Sequence, residues 1–282
     1  MPSAGDGFQH GHLKAKGEDM KKNLMTLATF ALFAACAAMA QLPEKIACAG
    51  SYGGHLQGVA TDGTNIYWSF TVAVVKTDLS GNILVSRKAP SHQGDLCCKD
   101  GVLYVAVNRG RFNTETGAVS QVTSYDAKTL KPIKTVPLPD VPHGAGGITW
   151  KGDRFYVVGG LPPTHKKNYV YEYTPDFKLV KRHDLETGFT LMGIQTAAHE
   201  DGKFYFGIYG DKENPSGVLA CPENLSSYKR YHKCGGSVGI LKLDGAYYVG
   251  GTSADKTLGK NRFSGHIVRK NNFPGIERTE DK

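Results

Sequence analysis

Three histidines stand at nearly the same distance ahead of a glycine turn. His55 lies eight residues before Gly63, and His92 and His143 lie nine before Gly101 and Gly152. Imidazoles brought from separate segments to one axis are ligands for a divalent transition metal, with Asp95 or water completing the shell. Without a metal, the same three hold an anion when protonated. The plain alternative is that each ring hydrogen-bonds the backbone of a neighbouring segment. Gln57, Gln93 and Gln195 accompany them ahead of the same kind of turn, and Asp95 is the carboxylate among them. His92 with Asp95 is therefore the acid–base pair a hydrolase would use here. Other catalytic signatures are missing. No G-x-S-x-G elbow occurs, His199-Glu200 lacks the second His of a zinc-protease helix, and no Asp-Thr-Gly is present.

A second group of residues is basic. Arg109, Arg111, Lys166, Lys167, Lys212, Lys256, Lys260 and Arg262 lie in four long loops, Asn108–Ala118, Gly159–Asn168, Tyr209–Ser216 and Gly251–Ser264. Each exceeds what a simple hairpin needs, and such loops commonly carry function. Glu115, Asp211, Glu213 and Asp255 offset the charge in part. The balance favours an anionic ligand, against a plain solvated rim. Tyr52, Phe112, Tyr209 and Phe263 are aromatics that can stack on a sugar ring.

These residues need a frame that gathers them. Five segments share one plan of apolar strand, turn and aromatic strand: His55–Phe70, Ser91–Val107, His143–Val158, Gly193–Ile208 and Gly236–Val249. Their turn glycines, Gly63, Gly101, Gly152, Gly202 and Gly245, are 38, 51, 50 and 43 residues apart. A repeat of that period made only of strands and turns is the signature of a propeller blade. Two further strands follow most units, near 73–78 and 82–88, 120–126 and 133–136, 169–173 and 178–184, and 217–221 and 228–231. The last unit (strands near 238–243, 246–250 and 266–270) lacks a fourth strand, which residues 44–49 can supply. Such closure covers an otherwise open edge. In this frame the loops entering the inner strands and the four long loops open on one face. His55, Gln57, His92, Gln93, Asp95, His143 and Gln195 then meet at the channel mouth.

The arrangement resembles the five-bladed β-propeller class, over nearly all of residues 41–275. The class includes animal lectins, calcium-dependent nucleotidases and arabinan-type glycoside hydrolases, and the glycosidases work with carboxylates at the channel mouth. No WD dipeptide or kelch Gly-Gly pair accompanies the repeat.

Residues 1–40 stand outside the repeat. From about Met20 they read as a secretory signal: Lys21 and Lys22, the apolar run Leu24–Ala37, and Ala38-Met39-Ala40 as the cleavage site. The run is short of the ~20 residues a membrane span needs, and the sequence before Cys36 is a poor lipid-attachment signal. Removing 1–40 leaves 30 Lys+Arg against 23 Asp+Glu, a net +7. That lacks the dense basic runs of a nucleic-acid binder. Cys48, Cys97, Cys98, Cys221 and Cys234 remain, an odd number. Bridges (a vicinal Cys97–Cys98 pair among them) and buried reduced thiols are both open.

The expectation is an all-β, five-bladed propeller over 41–275 with a polar tail at 276–282, exported to the periplasm or medium, and monomeric. It binds an anionic or glycan-like small ligand, or a glycoprotein, through His55, Gln57, His92, Gln93, His143, Gln195, Arg109, Arg111, Lys166 and Lys212. The alternative is a secreted hydrolase of glycans, esters or peptides using Asp95 and His92, with a divalent metal on His55, His92 and His143.

Overall fold

In the computed structural model, residues 41–257 and 261–274 are described; the signal-like segment, Cys36, Lys260 and the polar tail lie outside them. Among the described residues the regular structure is entirely β. Twenty strands form five four-stranded antiparallel sheets. The first blade is β2 (Leu56–Thr61), β3 (Ile66–Phe70), β4 (Ala73–Thr77) and β5 (Ile83–Lys88). The second is β6 (Gln93–Lys99), β7 (Val102–Asn108), β8 (Ser120–Asp126) and β9 (Pro132–Pro137). The third is β10 (Ala145–Lys151), β11 (Arg154–Gly159), β12 (Asn168–Tyr173) and β13 (Leu179–Leu185). The fourth is β14 (Ile194–Glu200), β15 (Lys203–Ile208), β16 (Gly217–Pro222) and β17 (Lys229–His232).

The fifth blade is β18 (Ile240–Leu243), β19 (Ala246–Ala254) and β20 (Arg262–Lys270), completed by β1 (Lys45–Gly53) in the order β1-β20-β19-β18. The N-terminal strand therefore closes the ring as expected, and it runs further than residue 49. Lys45 pairs with Val268 and Tyr52 with Phe263, and the register shifts between Cys48 and Tyr52, where Gly50 takes a φ of 88°.

The sequence explains the blades locally. At Asp100-Gly101, Asp201-Gly202 and Asp244-Gly245 both turn residues have positive φ, the geometry that matches a hairpin's twist and that Asp-Gly favours. β3 (IYWSF) is buried throughout and β11 and β15 nearly so, whereas the outer strands β5, β9 and β13 are mostly exposed. A strand packed on both faces becomes uniformly apolar. The core fills the wedges between neighbouring sheets. Phe204, Phe206, Tyr156 and Val158 pack between blades three and four, and Tyr173, Phe155, Ile148 and Val122 between blades two and three. Trp68 is fully buried, and its indole N–H is satisfied by Thr77 Oγ1 at 2.9 Å. The five cysteines among the described residues are free thiols, the reduced alternative, and burial pushes Cys48 and Cys221 up to about 12. Thiols so disfavoured as thiolates are poor nucleophiles.

Candidate functional site

The site is built by a fault that recurs at the top of the inner strands. Register shifts occur between Leu56 and Gly58, Gln93 and Leu96, Ala145 and Gly147, and Ile194 and Thr196. A bulge leaves residues out of the ladder and re-aims them. The residues within these shifts include Gln57, Gly94, Gly146 and Gln195, and these four line one cavity of about 580 Å³. His55, Ser91 and His92 complete its inner wall, while Asn108 comes from the end of β7 and Arg109, Gly110, Phe112, Asn113, Met192 and Tyr209 from the surrounding loops. The four bulges thus do for this mouth what a helix terminus or a strand end does in other folds.

The loop after β7 has its own anchor. The buried Asn108 donates from its amide nitrogen to the carbonyls of Gly110 (3.3 Å) and Arg111 (2.9 Å). Its amide oxygen accepts from the N–H groups of Gly110 (3.0 Å) and Val119 (2.8 Å). This fixes the segment that presents Arg109, Phe112 and Asn113.

His55 and His92 meet across Gln57. The Gln57 amide nitrogen lies 3.2 Å from His55 Nε2 and 3.3 Å from His92 Nε2. His55 Nδ1 donates to the Leu56 carbonyl at 2.9 Å, which leaves its Nε2 bare to accept from the amide. Burial, and then the charge of His55, lower the pKa of His92. That direction favours the neutral imidazole of His92 over the protonated, anion-holding ring. Its ring stands tilted against Phe112, with the centroids 5.2 Å apart.

Several expected residues are elsewhere. Asp95 lines no part of the cavity. It sits between Gly94, which faces the mouth, and Leu96, which faces a separate cavity of about 440 Å³ at the other end of the channel. Asp95 is 1% exposed. Its Oδ2 accepts the N–H of Ala197, from blade four, at 2.9 Å, while Oδ1 has no hydrogen-bond partner. Burial raises its pKa well above the carboxylate range, and the amides of Ala197, Leu96 and Val59 offset this only in part. Asp95 is an axial tie between blades rather than an acid at the mouth.

Gln93 is also buried. Its amide donates to the Pro90 carbonyl and accepts from the Tyr125 hydroxyl, so it braces the blade. His143 does not converge with His55 and His92. Its Nδ1 donates to the Thr114 carbonyl at 2.9 Å, and its ring lies edge-on to His165 at 5.1 Å. The expected three-histidine set is thus divided, and an amide nitrogen sits between the two rings that remain. Arg111, Lys166 and Lys212 are exposed outside the lining; Arg109 is the permanently charged side chain within it. Of the aromatics, Phe112 and Tyr209 line the cavity. Tyr52 is instead buried in a stack on Phe70 at 4.2 Å, and Phe263 stands edge-on to His55 at 6.1 Å.

Asn108, Asn113, Ser91 and Met192 were not foreseen from sequence. Asn108 and Asn113 stand inside a loop whose length flagged it, so the loop was legible and its liners were not. The opposite cavity was not foreseen either. It is lined by Cys97, Cys98, Trp150, Lys151, His199 and Glu200 among others. Burial raises Glu200 to about 7, with the Lys242 charge opposing.

The mouth lining carries no carboxylate. Calcium takes six to eight oxygen ligands, typically with carboxylates among them, and these residues do not form such a cage.

No family model matches the sequence, and no curated protein matches it. Solved structures do match the fold. A GH43 β-xylosidase/α-arabinofuranosidase from a compost microbial metagenome, in complex with xylotriose and calcium-free, is 12% identical with a TM-score of 0.59, covering 85% of this chain and 98% of that one. A xylan β-1,4-xylosidase from Bacillus halodurans C-125 is 13% identical with a TM-score of 0.58, covering 81% of this chain and 55% of that one. A GH43 enzyme from Xanthomonas citri is 11% identical with a TM-score of 0.56, covering 84% and 94%. Fold and likeness together define the chain as a five-bladed β-propeller.

Proposed function

We propose that this chain is an exported, monomeric propeller that acts on glycans by holding a sugar or an anionic sugar derivative in the mouth cavity. The observation that supports this best is the chemistry of the lining: amide and hydroxyl groups from Gln57, Gln195, Asn113 and Ser91, the aromatic Phe112 and Tyr209, one cation in Arg109, and no carboxylate. Neutral hydrogen-bonding groups around an apolar ring face suit a polyhydroxylated ring, and Arg109 adds a site for a carboxylate, sulfate or phosphate on it. Calorimetry against xylo-oligosaccharides and against uronic acid-bearing ones tests this. Saturable binding that Phe112→Ala weakens for both, and Arg109→Ala mainly for the acidic set, is expected. No binding to either set would overturn the reading. The pattern at residues 20–40 supports export, and a mature chain beginning at Gln41 in the exported fraction is the expected result.

A hydrolase reading is favoured by one further observation, the xylosidase and arabinofuranosidase functions of proteins that share the fold. Glycosidases of that kind flank the bond with two carboxyl groups, and this mouth has none. Hydrolysis here would rest on His92, whose neutral imidazole is a base within the lining. Chromogenic β-xylosides, α-arabinofuranosides and simple esters discriminate the readings. Turnover that His92→Ala abolishes establishes the hydrolase.

A further inference from the structure

A second cluster lies outside the mouth lining, at the junction of blades two and three. Glu115 belongs to the loop between β7 and β8, His143 immediately precedes β10, and His165 belongs to the loop between β11 and β12. One ligand atom from each lies within 4.8 Å of the others. Both imidazoles are held from behind. His143 Nδ1 donates to the Thr114 carbonyl at 2.9 Å, and His165 Nδ1 lies 3.3 Å from the Tyr169 hydroxyl. With Nδ1 engaged in each ring, Nε2 is the atom left for a ligand, and His165 Nε2 lies 3.4 Å from the Glu115 carboxylate. Metal-binding histidines are oriented in this way, by an oxygen partner on the other ring nitrogen.

We propose that Glu115, His143 and His165 bind a divalent transition ion of the zinc class. Two imidazoles and a carboxylate form a zinc set with one position open to water, and imidazole selects such ions over calcium and magnesium. Tetrahedral zinc with bonds near 2.0–2.1 Å needs its ligands roughly 3.3 Å apart. Glu115 and His165 already stand at 3.4 Å, and the remaining spacings, at most 4.8 Å, must draw in by up to about 1.5 Å. The Glu115 side chain is 64% exposed and that of His165 21% exposed, so both loops' side chains have room to adjust. The ion bridges two blades through segments that already touch. The Asn113 N–H donates to the His143 carbonyl at 3.2 Å, and Asn113 Oδ1 accepts from the Leu161 N–H at 3.2 Å. Metal therefore fastens the loop that carries Phe112 and Asn113 to blade three. The assignment is independent of what the mouth holds.

The test is calorimetric titration of the untagged full chain with zinc chloride, with melting followed with and without zinc. One saturable site per chain and a zinc-dependent rise in melting temperature are expected. Loss of an outer partner typically costs ~10–100-fold in metal affinity, so Tyr169→Phe should weaken binding about tenfold and His165→Ala by at least ~100-fold. Glu115→Gln should weaken it too, and it alters an exposed residue whose loss leaves the fold intact. His92→Ala, at the mouth, should bind zinc as the wild type does. Melting without zinc shows whether each variant is folded. No saturable zinc binding below millimolar, unchanged binding in folded His165→Ala and Glu115→Gln, or loss of binding in His92→Ala would overturn the assignment.

Discussion

Replacing Asp95 with Asn should stabilise the protein, and by more as the pH rises. The carboxyl is 1% exposed, its Oδ2 accepts from the Ala197 N–H and its Oδ1 has no bond of normal geometry, although the Leu96 and Val59 amides also favour its charged form. Burial raises its folded pKa well above the value of the free side chain, which is about 3.9 when unfolded. Between those two values the folded state binds more protons than the unfolded state. Stability is then fully present below the unfolded value and is lost as the pH rises toward the folded one. The limiting slope is about 1.4 kcal/mol per pH unit. For a domain of this size that is roughly 3–5 °C of melting temperature per unit. An Asn amide copies the protonated acid, with one acceptor for Ala197 and a donor where Oδ1 now lies. Wild type and Asp95→Asn should therefore melt together near pH 4 and separate steadily above it. Asp95→Ala does not titrate either, and it strands the Ala197 N–H, so it should trail Asp95→Asn by about 1–3 kcal/mol at every pH. Melting curves of the three proteins from pH 4 to 9 provide the measurement. A gap between wild type and Asn that is constant with pH, or an Asn variant that falls behind as pH rises, would refute the account of Asp95 as a neutral axial tie.

Other outcomes follow from the same structure. Glu200→Gln should show the same sign over a different window: burial holds the wild-type carboxyl at about 7, so the variant's advantage in melting temperature grows from about pH 5 to 7 and then levels off. Gly94→Ala should lower the melting temperature by several degrees, because its Cβ would lie 2.3 Å from the Gly146 carbonyl oxygen and 2.8 Å from that of Ala106, and such overpacking costs about 1–3 kcal/mol. Gly63→Ala meets nothing within 4 Å and should cost only the strain of its positive φ, about 1 kcal/mol or slightly more. Deleting residues 41–53 removes β1 and exposes the edge of β20; size-exclusion chromatography should then show larger species than the intact chain gives.

The frame of this protein was legible because each blade repeats its own physics. The Asp-Gly turns, the apolar second strands and the missing fourth strand of the last unit each indicate a propeller locally, and β1 supplies that strand in the structure. The site was legible in part. His55, Gln57, His92 and Gln195 line the cavity because nearness to an inner-strand entry fixes height along a blade, and Arg109 lines it because its long loop opens on the same face. An offset does not fix side-chain direction at a bulge. Within the single shift from Gln93 to Leu96, Gly94 faces the mouth, Gln93 turns back to Pro90 and Tyr125, and Asp95 turns into the axis. His143 carried the same offset as His92, yet Thr114, from a loop of another blade, takes its ring nitrogen. Partners so distant in sequence leave no local pattern, which is also why Glu115 and His165 were not grouped with it.

The closure of the ring also sets an order of events in time. Lys45 pairs with Val268, so the first of the propeller's strands in sequence is among the last to find its partner. Roughly 220 residues must follow it, which at about 5–20 residues per second takes on the order of ten to forty seconds. Blades one to four draw their strands from consecutive sequence and can form as they emerge. The fifth cannot, and its sequence-distant pairing is slow by nature. Until then, β1 and β20 are two unsatisfied edges on one chain. The protein is most exposed to proteolysis and to strand exchange with a neighbouring copy in that interval, and a partner that shields β1 would act then and be released when the ring closes.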